Sequence, residues 1–143
     1  MTVARILADK GRRVLTTRPQ NTLQEVAVEL TRHSVGALAV VDAAEQLVGL
    51  ISERDIVAAI AERGPSALSD AVTRHMTVKP RAVGENDTVD SAMETMTRER
   101  SRHLPVVHNG RMTGLISIGD VVKYRIQTIE FEHKALRDYI ATA

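Results

Sequence analysis

Leu23, Val26, Ala27 and Leu30 fall at i, i+3, i+4 and i+7, the stripe of a helix with one apolar face. The same stripe returns later in the chain as Val89, Ala92, Met93 and Met96. Thr22 and Thr88 stand just before the two stripes as N-caps, and Glu25 lies three positions after the first of them. Behind each helix comes an apolar run, at 37–41 or 104–107, then a turn, then a second run, at 47–51 or 112–116. Their β-branched residues and short length predict strands. Asn109-Gly110 predicts a type I′ hairpin turn, whose two central residues both need positive φ. A second helix is expected to begin at Ser52 and again at Ser117, with Ile56, Val57 and Ile60 answered less regularly by Val121, Val122 and Ile126. Past the second repeat, Ile126, Ile129, His133, Leu136 and Ile140 recur at spacings of 3 and 4, an a/d seam on a continuing helix.

The chain is therefore a duplication. Gly49-Leu50-Ile51-Ser52-Glu53-Arg54-Asp55 recurs as Gly114-Leu115-Ile116-Ser117-Ile118-Gly119-Asp120. The strand before it recurs at an offset larger by one, and the difference falls in the turn between strands, where a length change is tolerated. The expected organisation is a first repeat at 13–64, a linker at 65–77, a second repeat at 78–128 and a helical extension at 129–143. A unit of about fifty residues buries too little surface to be comfortably stable alone. The expected fold is α/β of the α+β kind: two tandem β-α-β-β-α repeats, packed sheet to sheet as one pseudo-two-fold module.

Composition narrows the function. The 143 residues are 43% hydrophobic and carry a net charge of +1, so no global field recruits nucleic acid or an anionic membrane. With no cysteine there is no disulfide, thiolate metal site or cysteine nucleophile. No apolar run approaches the ~20 residues of a membrane span, and no signal peptide is visible, so a cytoplasmic location is expected. The five histidines show no metal-ligand spacing, and no P-loop, G-x-G-x-x-G or G-x-S-x-G occurs, so no metal or catalytic residue is expected.

The two Ser-x-x-Asp copies carry the chemistry. Ser52 and Ser117 sit where a strand turns into a helix, so unpaired backbone N–H groups and a positive dipole end are available to a phosphate. Asp55 and Asp120, one helical turn on, can accept hydrogen bonds from two ribose hydroxyls. Read alone, each copy is more simply a helix capping arrangement, and it is the pair of copies that favours ribose binding. Arg102 offers a bidentate phosphate clamp with His103 beside it, whereas Arg98 and Arg100 read as a solvated helix end. The first repeat has Gly36-Ala37 where the second has Arg102-His103.

The tandem unit, the two motifs at 49–55 and 114–120, and Arg102-His103-Leu104-Pro105-Val106-Val107 together resemble the cystathionine-β-synthase (CBS) domain pair, or Bateman module, over roughly residues 13–128. The resemblance implies a non-catalytic regulatory module that binds an adenosine nucleotide between its repeats. AMP is the leading ligand, with ADP, ATP, NAD and S-adenosylmethionine as others, and the function would be energy or redox sensing reported to an effector protein. It implies a homodimer. It also implies two unequal clefts, the better one using Asp120 for ribose, Ser117 for phosphate and Arg102 with His103 as added cations. Thr16, Val35 and Gly36 would then contact adenine, and the weaker cleft would hold Asp55 and Ser52. Rival readings are a structural dimerisation adaptor with empty clefts, an enzyme, or a nucleic-acid binder using Arg12, Arg13, Lys79, Arg81 and the arginines at 98–102. Only three aromatic residues supply stacking platforms for the last.

Overall fold

The computed structural model describes residues 1–142; Ala143, the last residue of the expected helical extension, lies outside them. The elements follow one another as α1 (Val3–Lys10), β1 (Thr16–Thr17), α2 (Leu23–His33), β2 (Ala37–Val41), β3 (Leu47–Ser52), α3 (Glu53–Arg63), β4 (Thr77–Val78), α4 (Val89–Glu99), β5 (His103–His108), β6 (Arg111–Ser117) and α5 (Ile118–Thr142), with 3-10 turns at Gly64–Ser69 and Val72–Arg74 between α3 and β4. The helix starts obey local chemistry. The Thr22 hydroxyl accepts from the Glu25 N–H and the Thr88 hydroxyl from the Ser91 N–H. Asn109 and Gly110 both take positive φ, at 50° and 76°, so β5 and β6 form the expected hairpin.

One sheet has the order β1-β2-β3-β4, with β1 parallel to β2 and the other pairs antiparallel, and the second sheet is β5-β6. In the second repeat the counterpart of β1 is a single parallel bridge, Val83 to Val106. The two cores are separate. Leu23, Val26, Leu30, Leu38, Val40, Ile51 and Ile56 pack together in one, and Leu104, Val106, Ile116 and Val121 in the other. Each amphipathic helix thus turns to its own core the stripe that its spacing predicts.

Two features lie outside the expected repeat boundaries. Residues 1–12 fall in neither expected repeat, yet α1 completes the second core through buried Val3, Ile6 and Leu7. And β4, straddling the expected boundary between linker and second repeat, hydrogen-bonds to β3 of the first repeat, pairing Gly49 with Val78 and Leu50 with Thr77. The chain then runs from β4 in one sheet to Val83 against β5 in the other, which makes residues 77–83 a strap between the repeats. The helix opened by Ser117 continues unbroken into the expected extension, about 37 Å in all.

The docking of α1 is tight at one point. A Cβ on Gly114 would lie 2.6 Å from Cδ2 of Leu7. Gly114→Ala should therefore destabilise the fold by about 1–3 kcal/mol through overpacking. Adding Leu7→Ala should recover part of that loss, as read by denaturant unfolding of the four proteins of the cycle. Simple additivity would show that α1 does not pack as described.

Candidate functional site

Both Ser-x-x-Asp segments form capping boxes. Oδ2 of Asp55 accepts from the Ser52 N–H at 2.9 Å and the Ser52 hydroxyl at 3.1 Å, and the Asp55 N–H donates to Ser52 Oγ at 3.3 Å. Oδ2 of Asp120 accepts from the Ser117 N–H at 2.8 Å, and the Asp120 N–H returns to Ser117 Oγ at 3.2 Å. The capping interpretation is thus realised in both copies. It occupies one oxygen of each carboxylate, and among the described residues Oδ1 of each has no hydrogen-bond partner.

The repeats are built alike around these caps. The Glu53 N–H donates to the Gly36 carbonyl at 3.0 Å, and the Ile118 N–H to the Arg102 carbonyl at 2.8 Å. Ser34 and Arg100 end α2 and α4 in the same left-handed conformation. From there the chain turns past Arg100, Ser101 and Arg102 into β5, where the Ser101 hydroxyl donates to the His103 carbonyl at 2.7 Å.

The clefts differ sharply. Ser52 and Asp55 line a cavity of about 520 Å³, within the size range of small-ligand sites, together with Arg102 and His103 of the second repeat and the strap at 77–81. Asp120 lies instead in a hollow of about 250 Å³ with Lys10 and Lys123. Here Lys10 Nζ donates to Asp120 Oδ2 at 2.6 Å and to the Leu115 carbonyl at 2.7 Å. The linings thus set Arg102 with Asp55, whereas His103 lines the Asp55 cavity and also lies within electrostatic reach of Asp120 and Lys10. The Arg102 carbonyl is tied to its own repeat, but Arg102 and His103 line the cleft of Asp55.

Of the other expected ligand contacts, Gly36 lies against the His103 ring, since a Cβ there would meet His103 Nε2 at 3.0 Å. Thr16 pairs with Ala39 in the sheet and Val35 is partly exposed; neither lines the two clefts. Sequence reasoning misses Lys10 altogether and finds Lys79 and Arg81 only in the nucleic-acid reading. Arg100, expected at a solvated helix end, lines the Asp55 cavity, while Arg98 pairs with Glu99 at 3.7 Å.

Electrostatics separate the two carboxylates. Burial raises the Asp120 pKa, but Lys10 and the Ser117 N–H outweigh it and hold the carboxyl below its ordinary value. Its contribution to stability is present above the ordinary carboxylate range and is lost as pH falls through the lowered value. For His103, burial and then the Lys10 ammonium push the imidazole below its usual range; Glu53 and Asp120 oppose this and Arg102 adds to it. His103 is thus held neutral, ready to gain a proton when an anion enters. Binding of a phosphate-bearing ligand should take up protons as the imidazole is raised from its lowered value toward and above the ordinary imidazole range. Calorimetry in buffers of different ionisation enthalpy reads this directly. His103→Gln should remove the uptake, and an unchanged proton count would assign it elsewhere. Among the described residues no group of His, Asp and Glu is arranged to hold a metal, and no helix is long and apolar enough to cross a membrane.

Comparison with known proteins gives this geometry its context. The CBS domain model matches twice, at residues 6–62 and 69–127. The mitochondrial CBS domain-containing protein CBSX3 of Arabidopsis thaliana is 35% identical over 97% of this chain and 71% of its own length. The crystal structure of a CBS-domain containing protein of Agrobacterium tumefaciens superposes with a TM-score of 0.85 at 44% identity, covering 87% of this chain and 92% of that one. A CBS domain protein from Pyrobaculum aerophilum complexed with AMP superposes with a TM-score of 0.74 at 31% identity, covering 84% and 89%. The duplication, the two hairpins that carry Ser-x-x-Asp and both family matches agree: the chain belongs to the CBS domain family, as a tandem pair.

Proposed function

We propose that this CBS pair is a regulatory module that binds an adenosyl ligand in the Asp55 cavity and passes the resulting change in repeat geometry to a partner protein. The supporting observation is a single cavity lined by Asp55 from the first repeat and by Arg102 and His103 from the second. A ligand there touches both repeats and the strap joining them, so its binding energy favours one relative placement of the two. Oδ1 of Asp55 accepts the ribose hydroxyls, and the cations of the second repeat take the phosphate. The relative complexed with AMP supports the ligand class. Ser117 and Asp120 belong to a second cleft, to which the family resemblance assigns Thr16 and Val35, and Lys10 keeps it closed.

Titration calorimetry with AMP, ADP, ATP, NAD and S-adenosylmethionine tests the reading. One binding event per chain is expected for at least one of them. Silence from all five would return Ser52 and Asp55 to pure helix caps and leave the structural adaptor.

The module acts as a homodimer in this reading. Val57 on α3 and Val122, Ile126, Ile129, Leu136 and Ile140 on α5 are all exposed, and apolar side chains gathered on helix faces in this way mark an interaction surface. The far end of α5 is short for an independent coiled coil, so it needs the α3 and α5 faces of the modules beside it. Light scattering should give about twice the mass of one chain. Truncation after Gln127 should shift the protein toward monomer, and a full chain running at the mass of a single copy would exclude the dimer.

A further inference from the structure

The walls of the Asp55 cavity carry five permanent cations, Arg54, Lys79, Arg81, Arg100 and Arg102. Among the described residues none of the five has a carboxylate within 4.0 Å; Arg13, Arg111, Lys123, Lys134 and Arg137 are likewise without one, but only these five are gathered on the walls of this cavity. Like charges gathered on one concave surface repel, and a cleft focuses their field outward.

The duplication supplies an internal control. At the repeat offset the counterparts of Arg54, Lys79, Arg81, Arg100 and Arg102 are Gly119, Arg13, Leu15, Ser34 and Gly36. The fold alone therefore does not call for these cations, since four of the five counterparts are uncharged. Two of them also occupy costly backbone. Lys79 and Arg100 hold φ of 50° and 51°, a conformation that glycine adopts more readily, yet both positions keep a long basic side chain. The three carboxylates on the same walls, Glu53, Asp55 and Glu99, leave the cavity with an excess of positive charge while His103 is neutral.

A monophosphate brings at most about two negative charges to such a site, and the five cations come from three separate elements, α3, the strap and the α4–β5 turn. We propose, resting on the adenosyl reading above, that the Asp55 cavity is built for an adenosyl ligand carrying two or more linked phosphates and rejects a cationic sulfonium. Arg102 and His103 meet one phosphate; Lys79 and Arg81 on the strap meet the next. Linking the two through one ligand clamps the strap to the second repeat.

Calorimetry on the full chain without divalent cations tests this with adenosine, AMP, ADP, S-adenosylmethionine and tripolyphosphate. Each added charge-assisted phosphate contact is worth about tenfold or more, so ADP should bind at least about tenfold tighter than AMP, and S-adenosylmethionine weakest of all. The ADP advantage should shrink steeply with salt. The double substitution Lys79→Gln with Arg81→Gln should erase the ADP advantage and leave adenosine unchanged. These side chains are exposed, so folding is expected to survive; equal unfolding midpoints check it. Equal affinity for AMP and ADP, or tight binding of S-adenosylmethionine, would overturn the inference and leave the adenosyl reading standing. Binding of tripolyphosphate with no adenosyl ligand would overturn the adenosyl reading itself.

Discussion

Asp55→Ala will abolish the tight adenosyl binding event, and Asp120→Ala will spare it. The two substitutions cost the same locally, since each dissolves a capping box worth about 0.5–2 kcal/mol to its helix. They differ in what the carboxylate faces. Asp55 shares the 520 Å³ cavity with Arg102 and His103; Asp120, whose Oδ1 is equally unpartnered among the described residues, lies in the 250 Å³ hollow with Oδ2 bonded to Lys10. Each charge-assisted hydrogen bond lost is worth about 1.5–3 kcal/mol, roughly 10- to 150-fold in affinity. Two such bonds take a micromolar ligand beyond calorimetric reach. This reverses the ranking that the sequence suggests. The opposite outcome, binding lost in Asp120→Ala alone, would restore that ranking and make the Lys10 contact a displaceable one.

The second large effect is a gain. Lys10→Met should raise the stoichiometry from one ligand per chain to two. Met is the residue that the repeat itself places there, since Met76 stands at the position corresponding to Lys10 in the other repeat, packed against Gly49. Without the ammonium, Asp120 Oδ2 keeps only its bond from Ser117 and the Leu115 carbonyl is released, so the hollow can admit the ribose edge of a ligand. The new site should be the weaker of the two, because Ser34 and Gly36 stand where the Asp55 cleft has Arg100 and Arg102. The fold should tolerate the change. The Lys10 side chain is 38% exposed, and a bridge that open contributes about 1 kcal/mol or less. Calorimetry that still fitted one site would show that the Asp120 cleft is closed by shape rather than by Lys10.

What can be seen in the sequence is local. The stripes at 23–30 and 89–96, their threonine caps, the Asn109-Gly110 turn and the repeat itself are set by residues within a few positions of one another, and the structure places them as expected. What escapes depends on contacts far apart in the chain. Lys10 reaches Asp120 across 110 positions. Val3, Ile6 and Leu7 have helical spacing, but nothing local assigns the short α1 to a core whose other members begin at Val83. The strap is two residues of strand followed by Lys79 at positive φ, too short for any strand signal. Adjacency in the chain puts Arg102 and His103 with the carboxylate of their own repeat, because chain proximity stands in for spatial proximity. In a two-fold module, the loop entering each second strand is bonded to its own repeat and faces the other.

The binding site is located most directly by nuclear magnetic resonance of the isotopically labelled full chain, titrated with ADP. Backbone amide shifts should concentrate at 52–55, at 77–81 and at 100–103, with the His103 ring moving toward its protonated form. Amides at 117–120 and the Lys10 side chain should move little. Shifts centred on 117–120, with the Asp55 and strap resonances undisturbed, would contradict a ligand site between Asp55 and the Arg102-His103 pair.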